Sequence, residues 1–482
     1  MHLNSLSDRL RVTFVCRRWR RTFLQHATLW SQLHLTGGMD PDLVRTLLGR
    51  VKGSPLGITA DYDGSPIHDI TLLSPFVRQI RSLEIKNATS DEVQDLLVAI
   101  SGPLPMLHTL DIHAREHLVA PTLPRFKNAA NLKNFCLDIH EFPSLRHFTF
   151  PNLTTLFFST WIDVYPVSEL LDFLEASPTL QWIRMRIRTT LFHEDIPPGR
   201  IIVLPCVKTF TLIALSYGTG CEIATHISCP FAERVEFAHR LDCPGDDVPE
   251  AIYPPSVPWN AIVHQYAKGT VERVVFEMVM ENFDIDCFIA FGSSDGATIN
   301  LGYAHHTDEV EYEMEAIFEE RIPGIFSQAL QAIQDHPLLA NVKHLYIRGR
   351  NLVAGDLEPV ANAVGRLFGS MGPLENLTLD GCDLRPYLDP FLDTPLFPEA
   401  IQPASFPPIK ELAIIDPVQS FHHDKVYATA VVKLTRSQHI REVPFERVKF
   451  CTTVPSLVIG ELVAFVHTVE WYGEPLPDED AS

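Results

Sequence analysis

The chain has 482 residues, of which 46% are hydrophobic, and it carries 60 Asp and Glu against 39 Lys and Arg for a formal net charge of −21. That apolar share supports a long repeat array or roughly two or three ordinary domains and argues against wholesale disorder. The negative field disfavours general binding to nucleic acid or to anionic membranes.

Nine cysteines without a Cys-x-x-Cys pair fit reduced thiols. No apolar run approaches about 18 residues and no charged-then-apolar leader opens the chain. We therefore expect a soluble protein of the cytoplasm or nucleus, without signal peptide or membrane span.

The first predicted element lies in "LRVTFVCRRWRRTFLQHATLWSQLHL", Leu10 to Leu35. Val12, Val15, Trp19 and Phe23 fall at helical spacing and make one apolar stripe, with Arg17, Arg18, Arg20 and Arg21 around its ends. A basic amphipathic helix of this kind suits three roles: lying on a membrane or nucleic acid, capping the body behind it, or docking a partner.

A pattern of apolar-x-x-apolar-x-apolar then returns along the chain. Its early copies are centred on Leu83, Leu110, Phe135, Leu156, Ile183 and Phe210, separated by 21 to 27 residues, the range of leucine-rich repeats. Later copies are centred on Val274, Leu345, Leu377, Leu412 and Val469. The last two apolar positions of each copy lie two apart, so they share one face of a strand. Between copies, "SDEVQDLLVAI" and "PVSELLDFLEA" have helical spacing and open with residues suited to a helix N-terminus. One strand and one helix cannot bury their own apolar face, whereas stacked units can. The predicted fold is α/β: an irregular leucine-rich-repeat solenoid with parallel strands on the concave face and helices outside.

"HAREH", His113 to His117, matches the H-x-x-E-H zinc pattern, but that pattern needs a helix. His113 follows the strand "LHTLDI", so we expect a solvent-facing strand residue and no metal site. In "LQWIRMRIR", Ile183, Met185 and Ile187 alternate with Arg184, Arg186 and Arg188. Strand alternation puts the three Arg on one outward face about 7 Å apart, beside Trp161 and Phe157 on one neighbouring unit and Thr211 on the other. The row is either a solvated face neutralised by nearby carboxylates or a docking row for an acidic or phosphorylated substrate segment.

After residue 235 the period loosens. "FIAFGSSDGATINLGYAH" reads as an inserted strand pair, so "GSSDG" is a hairpin turn and Ser294 no nucleophile. "DEVEYEMEAIFEERIPGIFSQALQAI" reads as longer helices, and the Pro-rich stretches at 242–259 and 393–408 as surface loops. No Gly-Lys dipeptide, hence no phosphate-binding P-loop, and no dinucleotide fingerprint occurs. We expect no enzyme and no cofactor.

Residues 11–35 resemble the second half of an F-box, in which a Val-Cys-basic-x-Trp helix precedes a Leu-Trp pair and a short strand. Here these are Val15, Cys16, Arg17, Trp19, Leu29, Trp30 and the strand "SQLHL". The arrangement of an F-box directly before leucine-rich repeats is similar to that of fungal F-box proteins. The resemblance implies a partial F-box at 1–35 and a solenoid at 36–482. It also implies that Val15, Cys16, Trp19, Leu29 and Trp30 bind a Skp-type adaptor held by a cullin scaffold, with Cys16 a packed small side chain. The repeats would then select an unknown protein substrate, through Arg184, Arg186, Arg188 and Trp161, for a cullin–RING ubiquitin ligase. The alternative is a repeat scaffold for protein–protein interaction that no longer recruits the ligase. The family's opening helix, with Leu-Pro and then Glu-Ile-Leu, has no counterpart before "HLNSLSDRL", and we expect a coding sequence assigned too short. Without it, Val12, Phe14 and Trp19 would lack cover, at about 2 kcal/mol each if exposed.

Overall fold

A computed structural model describes residues 14, 16–62, 67, 70–100, 102–114, 129–139, 145, 150–160, 167–187, 199–214, 220, 223–241, 271–281, 284–293, 298–305, 337–350, 358–381, 407–415, 425–451 and 456–472. The chain forms two compact units, Met1–Ala232 and Glu233–Ser482. Both are mixed α/β units built on parallel strands. The division falls where the sequence period loosens. No described helix is long and apolar enough to cross a membrane.

The first unit opens with helix α1 (Arg17–Gln25), a 3-10 turn at Ala27–Trp30, strand β1 (Gln32–Thr36) and α2 (Pro41–Val51). Asp40 caps α2 by accepting the Asp42 amide at 2.9 Å, and Pro41 sits at the first helical position, where its missing N–H costs nothing. Next come β2 (Leu56–Asp61), a 3-10 segment at Ile70–Gln79, β3 (Ile80–Ala88) and α3 (Ser90–Ala99). A capping box starts α3: Thr89 and Glu92 satisfy each other's amides reciprocally. Then follow β4 (Thr109–Ala114), β5 (Asn134–Ile139), β6 (Thr155–Thr160), α4 (Val167–Glu175) and β7 (Trp182–Ile187). A two-residue strand β8 (Ile202–Val203), β9 (Thr209–Ala214) and a two-residue β10 (Ile227–Ser228) complete the unit, with β8 and β10 paired to each other.

Strands β1 to β7 and then β9 run parallel, each hydrogen-bonded to the next. The central repeat residues stand in one register: Leu83 opposite Leu110, then Phe135, Leu156, Ile183 and Phe210. All six are buried, as are Ile85, Ile112, Leu137, Phe158, Met185 and Leu212 two positions on. Polar side chains before the strands tie each copy to the previous one. Asn131 donates to Pro105 O at 2.6 Å, Asn152 to Ala130 O at 2.8 Å, and Thr179 to Pro151 O at 3.0 Å. Behind the strands, Phe135, Phe150 and Phe173 meet edge-on or tilted, with ring centroids 5.3 to 6.4 Å apart.

Two further copies of the repeat pattern escaped the sequence reading. Trp30, Leu33 and Leu35 form one around β1, and Phe445, Val448 and Phe450 another in the second unit; all six are buried.

The second unit begins with β11 (Arg234–Leu241), β12 (Val271–Glu281), β13 (Asp284–Ser293) and β14 (Thr298–His305). Here β12–β13 and β13–β14 are antiparallel, while β11–β14 is parallel. The expected strand pair is thus β13 and β14, and Gly292 faces Thr298 across the reversal that contains "GSSDG". Ser294 itself lies outside the described residues, as do 308–333, 242–259 and all but two residues of 393–408. The parallel order then resumes with β15 (His344–Arg350), α5 (Glu358–Ser370), β16 (Leu374–Asp380), β17 (Ile409–Ile415), α6 (Lys425–Ile440), β18 (Arg447–Cys451), α7 (Ser456–Leu462) and β19 (Thr468–Trp471). Leu345, Leu377, Leu412, Val448 and Val469 share one register.

Candidate functional site

The N-terminal element carries the first site. Cys16 caps α1: its backbone is extended, and its sulfur accepts from the Trp19 amide at 3.4 Å. The thiol is therefore exposed and not a packed small side chain as the resemblance implied. The cap geometry turns it back over the first-turn amides, away from the core. Trp19 is 52% exposed and stacks on the buried Phe23 with centroids 6.4 Å apart. Together with Arg18, His26 and the half-buried Leu29, they line an open cleft of about 440 Å³. Arg17, Arg18, Arg20 and Arg21 are all exposed along α1.

Trp30 has a different place. It is 2% exposed, donates from Nε1 to Phe23 O at 2.9 Å, and carries the Arg50 guanidinium 4.6 Å from its ring centroid. It ties the end of α1 to Arg50 of α2 and presents no surface, so any part it has in docking runs through packing. Val15 lies outside the described residues.

The Arg row sits on β7. Ile183, Met185 and Ile187 are buried while Arg184 is exposed and Arg186 half-buried, as strand alternation requires. Arg184 pairs with Phe157 of β6 and Thr211 of β9, and its guanidinium stands 5.9 Å from the Phe157 ring centroid. Arg186 lies within the field of Asp138 and helps hold that carboxyl below its usual range. Arg188 and Trp161 lie outside the described residues. The exposed aromatic beside Arg184 is Trp182, 52% exposed and two positions earlier on the same strand, which the sequence reading passed over.

A third group of side chains lies on β4 and β5. Parallel register sets Asp111 opposite Cys136 and His113 opposite Asp138. His113 Nε2 is 2.7 Å from Asp111 Oδ1 and 3.9 Å from Cys136 Sγ, and its Nδ1 is 3.5 Å from Asp138 Oδ2. Hydrogen bonding to Asp111, then to Asp138 and Cys136, pushes the His113 imidazole up to about 12 against the opposing effect of burial. Burial pushes the Cys136 thiol up to about 11. Burial also acts to raise the Asp111 carboxyl, but hydrogen bonds from His113 and Cys136 outweigh it, and the group ends below its usual range. The His113 contact likewise lowers Asp138. His113 thus stands between two carboxylates that favour its protonated form.

His113 is a strand residue, as expected, and Glu116 and His117 of "HAREH" lie outside the described residues. Its partners come from elsewhere. Asp111 and Cys136 each stand between the last two apolar positions of their repeat copies, and His113 and Asp138 each stand one place after. Overlaying "LDIH" on "FCLD" one strand apart is the signal that brings them together. No protein-family model matches the chain, and no curated protein matches it in sequence.

Proposed function

We propose that this chain is the substrate-recognition subunit of a cullin–RING ubiquitin ligase. In this reading the N-terminal element docks a Skp-type adaptor in F-box fashion, and an irregular leucine-rich-repeat solenoid holds the target. One observation carries it: Trp19 and Leu29 flank an open cleft, while Trp30, from the same sequence motif, is buried and holds that cleft's wall through Phe23 O. An exposed aromatic backed by a buried one suits a docking module, whose binding energy concentrates in a few aromatic anchors. The single register of repeat residues along β3 to β9 supports the solenoid reading, since stacked units bury a continuous face that each lacks alone. Trp182, Arg184 and Phe157 supply an aromatic and cationic patch suited to an acidic target segment.

Co-expression with a Skp-type adaptor tests the assignment. The chain, extended upstream if its coding sequence proves longer, should co-purify with the adaptor. Trp19→Ala with Leu29→Ala should abolish capture while circular dichroism stays unchanged. Capture that survives the double substitution sinks the reading.

A further inference from the structure

We propose that Asp111, His113 and Cys136 form a binding site for a zinc-class divalent cation on the solvent-facing side of β4 and β5. The inference is independent of the ubiquitin-ligase reading.

The donor set comes first. One carboxylate oxygen, one imidazole nitrogen and one sulfur lie within 4.8 Å of one another. Thiolate and imidazole together select zinc and its borderline neighbours over magnesium or calcium, which prefer oxygen. Zinc holds sulfur at about 2.3 Å and nitrogen or oxygen at about 2.0–2.2 Å, so tetrahedral donors stand roughly 3.3–3.8 Å apart. The distances from His113 Nε2, 2.7 Å to Asp111 Oδ1 and 3.9 Å to Cys136 Sγ, bracket that range. For these two spacings, side-chain adjustment of under about 1 Å suffices to reach it.

The second argument is preorganisation. The donors stand on adjacent strands whose parallel register fixes Asp111 opposite Cys136, so ladder hydrogen bonds hold the spacing. The third is the division of the imidazole. Nε2 faces the other two donors, while Nδ1 faces Asp138 at 3.5 Å. A metal-bound histidine ordinarily donates its second N–H to a carboxylate, which orients the ring and raises its basicity. Asp138 is placed for that role.

The charges close as well. Loading releases the imidazolium and thiol protons to solvent, and the ion then faces one carboxylate and one thiolate, which balance its two positive charges. Asp138 keeps its hydrogen bond to His113 and lies in the field of Arg186. Asp111 Oδ1 is shut off from solvent, so a cation there would not have to compete with bulk water for that oxygen.

The test uses the full chain, stripped with chelator and given zinc alone. It should retain one equivalent at about 10 µM free zinc. Cobalt(II) in its place should give a near-ultraviolet thiolate-to-metal band and visible bands of tetrahedral intensity. Cys136→Ser should remove the thiolate band, and His113→Gln should lower zinc affinity at least 100-fold. Asp138→Asn should lower it about 10- to 100-fold through the ring's orientation. In the unsubstituted chain, zinc should shield Cys136 from alkylation mapped by mass spectrometry, a readout that needs no variant to fold. A chain that holds no zinc at that concentration overturns the site. So does unchanged zinc binding in both Cys136→Ser and His113→Gln, or alkylation of Cys136 at the same rate with and without zinc.

Discussion

Two aromatic groups in the first unit show what the strand ladder does and what the N-terminal element leaves undone. Phe135, Phe150 and Phe173 are each at most 3% exposed, and all three rings touch. Trp19, Phe23 and Trp30 are equally apolar, yet exposure runs from 2% at Trp30 through 9% at Phe23 to 52% at Trp19. The difference lies in the neighbours. β5 has β4 and β6 on either side and α4 behind it, so its apolar face closes from every direction. α1 is tied through Phe23 to the buried Trp30, and its outer stripe faces an open cleft. An aromatic closed on all sides acts on stability, and one left open is placed to act on binding.

The comparison breaks most sharply at Phe135. Phe135→Ala removes the ring that both Phe150 and Phe173 pack against, and should destabilise the first unit by about 3–5 kcal/mol. A urea titration followed by tryptophan fluorescence should show a much lower midpoint for that unit's transition. A midpoint within error of the parent would mean that the ladder does not depend on its aromatic core.

Trp30→Ala comes next. The indole fills a buried position, bonds Phe23 O and supports Arg50, so its loss should cost about 3 kcal/mol. Limited proteolysis should also find α1 released, with cleavage between Arg17 and His26 appearing far sooner than in the parent. Trp30→Phe separates the two contributions, keeping most of the packing while leaving Phe23 O without its indole partner, at about 1 kcal/mol. Equal losses in the two variants would show that packing is not what fastens the helix.

Much of this fold was legible, because a strand buried on one side must alternate and a stacked unit must repeat. Leu83, Leu110, Phe135, Leu156, Ile183 and Phe210 form one series in the sequence and stand in one register. The pattern carries no strand direction, however. Val274 reads as an ordinary repeat centre and does pair in parallel with Leu345, yet the same residue runs antiparallel to Phe291. Trp30 belongs both to the Leu-Trp pair and to the first position of a repeat copy, and the more specific motif masks the weaker one. The His113 group was hidden for a related reason. "HAREH" groups residues along the chain, whereas the side chains that meet His113 stand across it, and cross-strand neighbours emerge only after the repeats are aligned.

The smallest expected stability effect is also the most informative. Trp19→Ala removes a ring that is 52% exposed and whose contact with Phe23 is an offset stack at 6.4 Å. Aromatic pairs of this kind contribute about 0.5–1.5 kcal/mol beyond burial, and solvent on the open face reduces the remaining transfer gain. The substitution should therefore cost about 1 kcal/mol, roughly a third of the Trp30→Ala effect. Under the docking reading the order reverses for adaptor capture. An anchor at the centre of an interface typically contributes about 2 kcal/mol or more, so Trp19→Ala alone should weaken the adaptor complex at least about 30-fold. Paired measurements on one preparation, a urea midpoint and a binding isotherm, resolve the matter. A Trp19→Ala chain that loses several kcal/mol of stability would make the indole a packing residue. A chain that keeps both its stability and its adaptor affinity would leave the cleft beside α1 without the partner proposed for it.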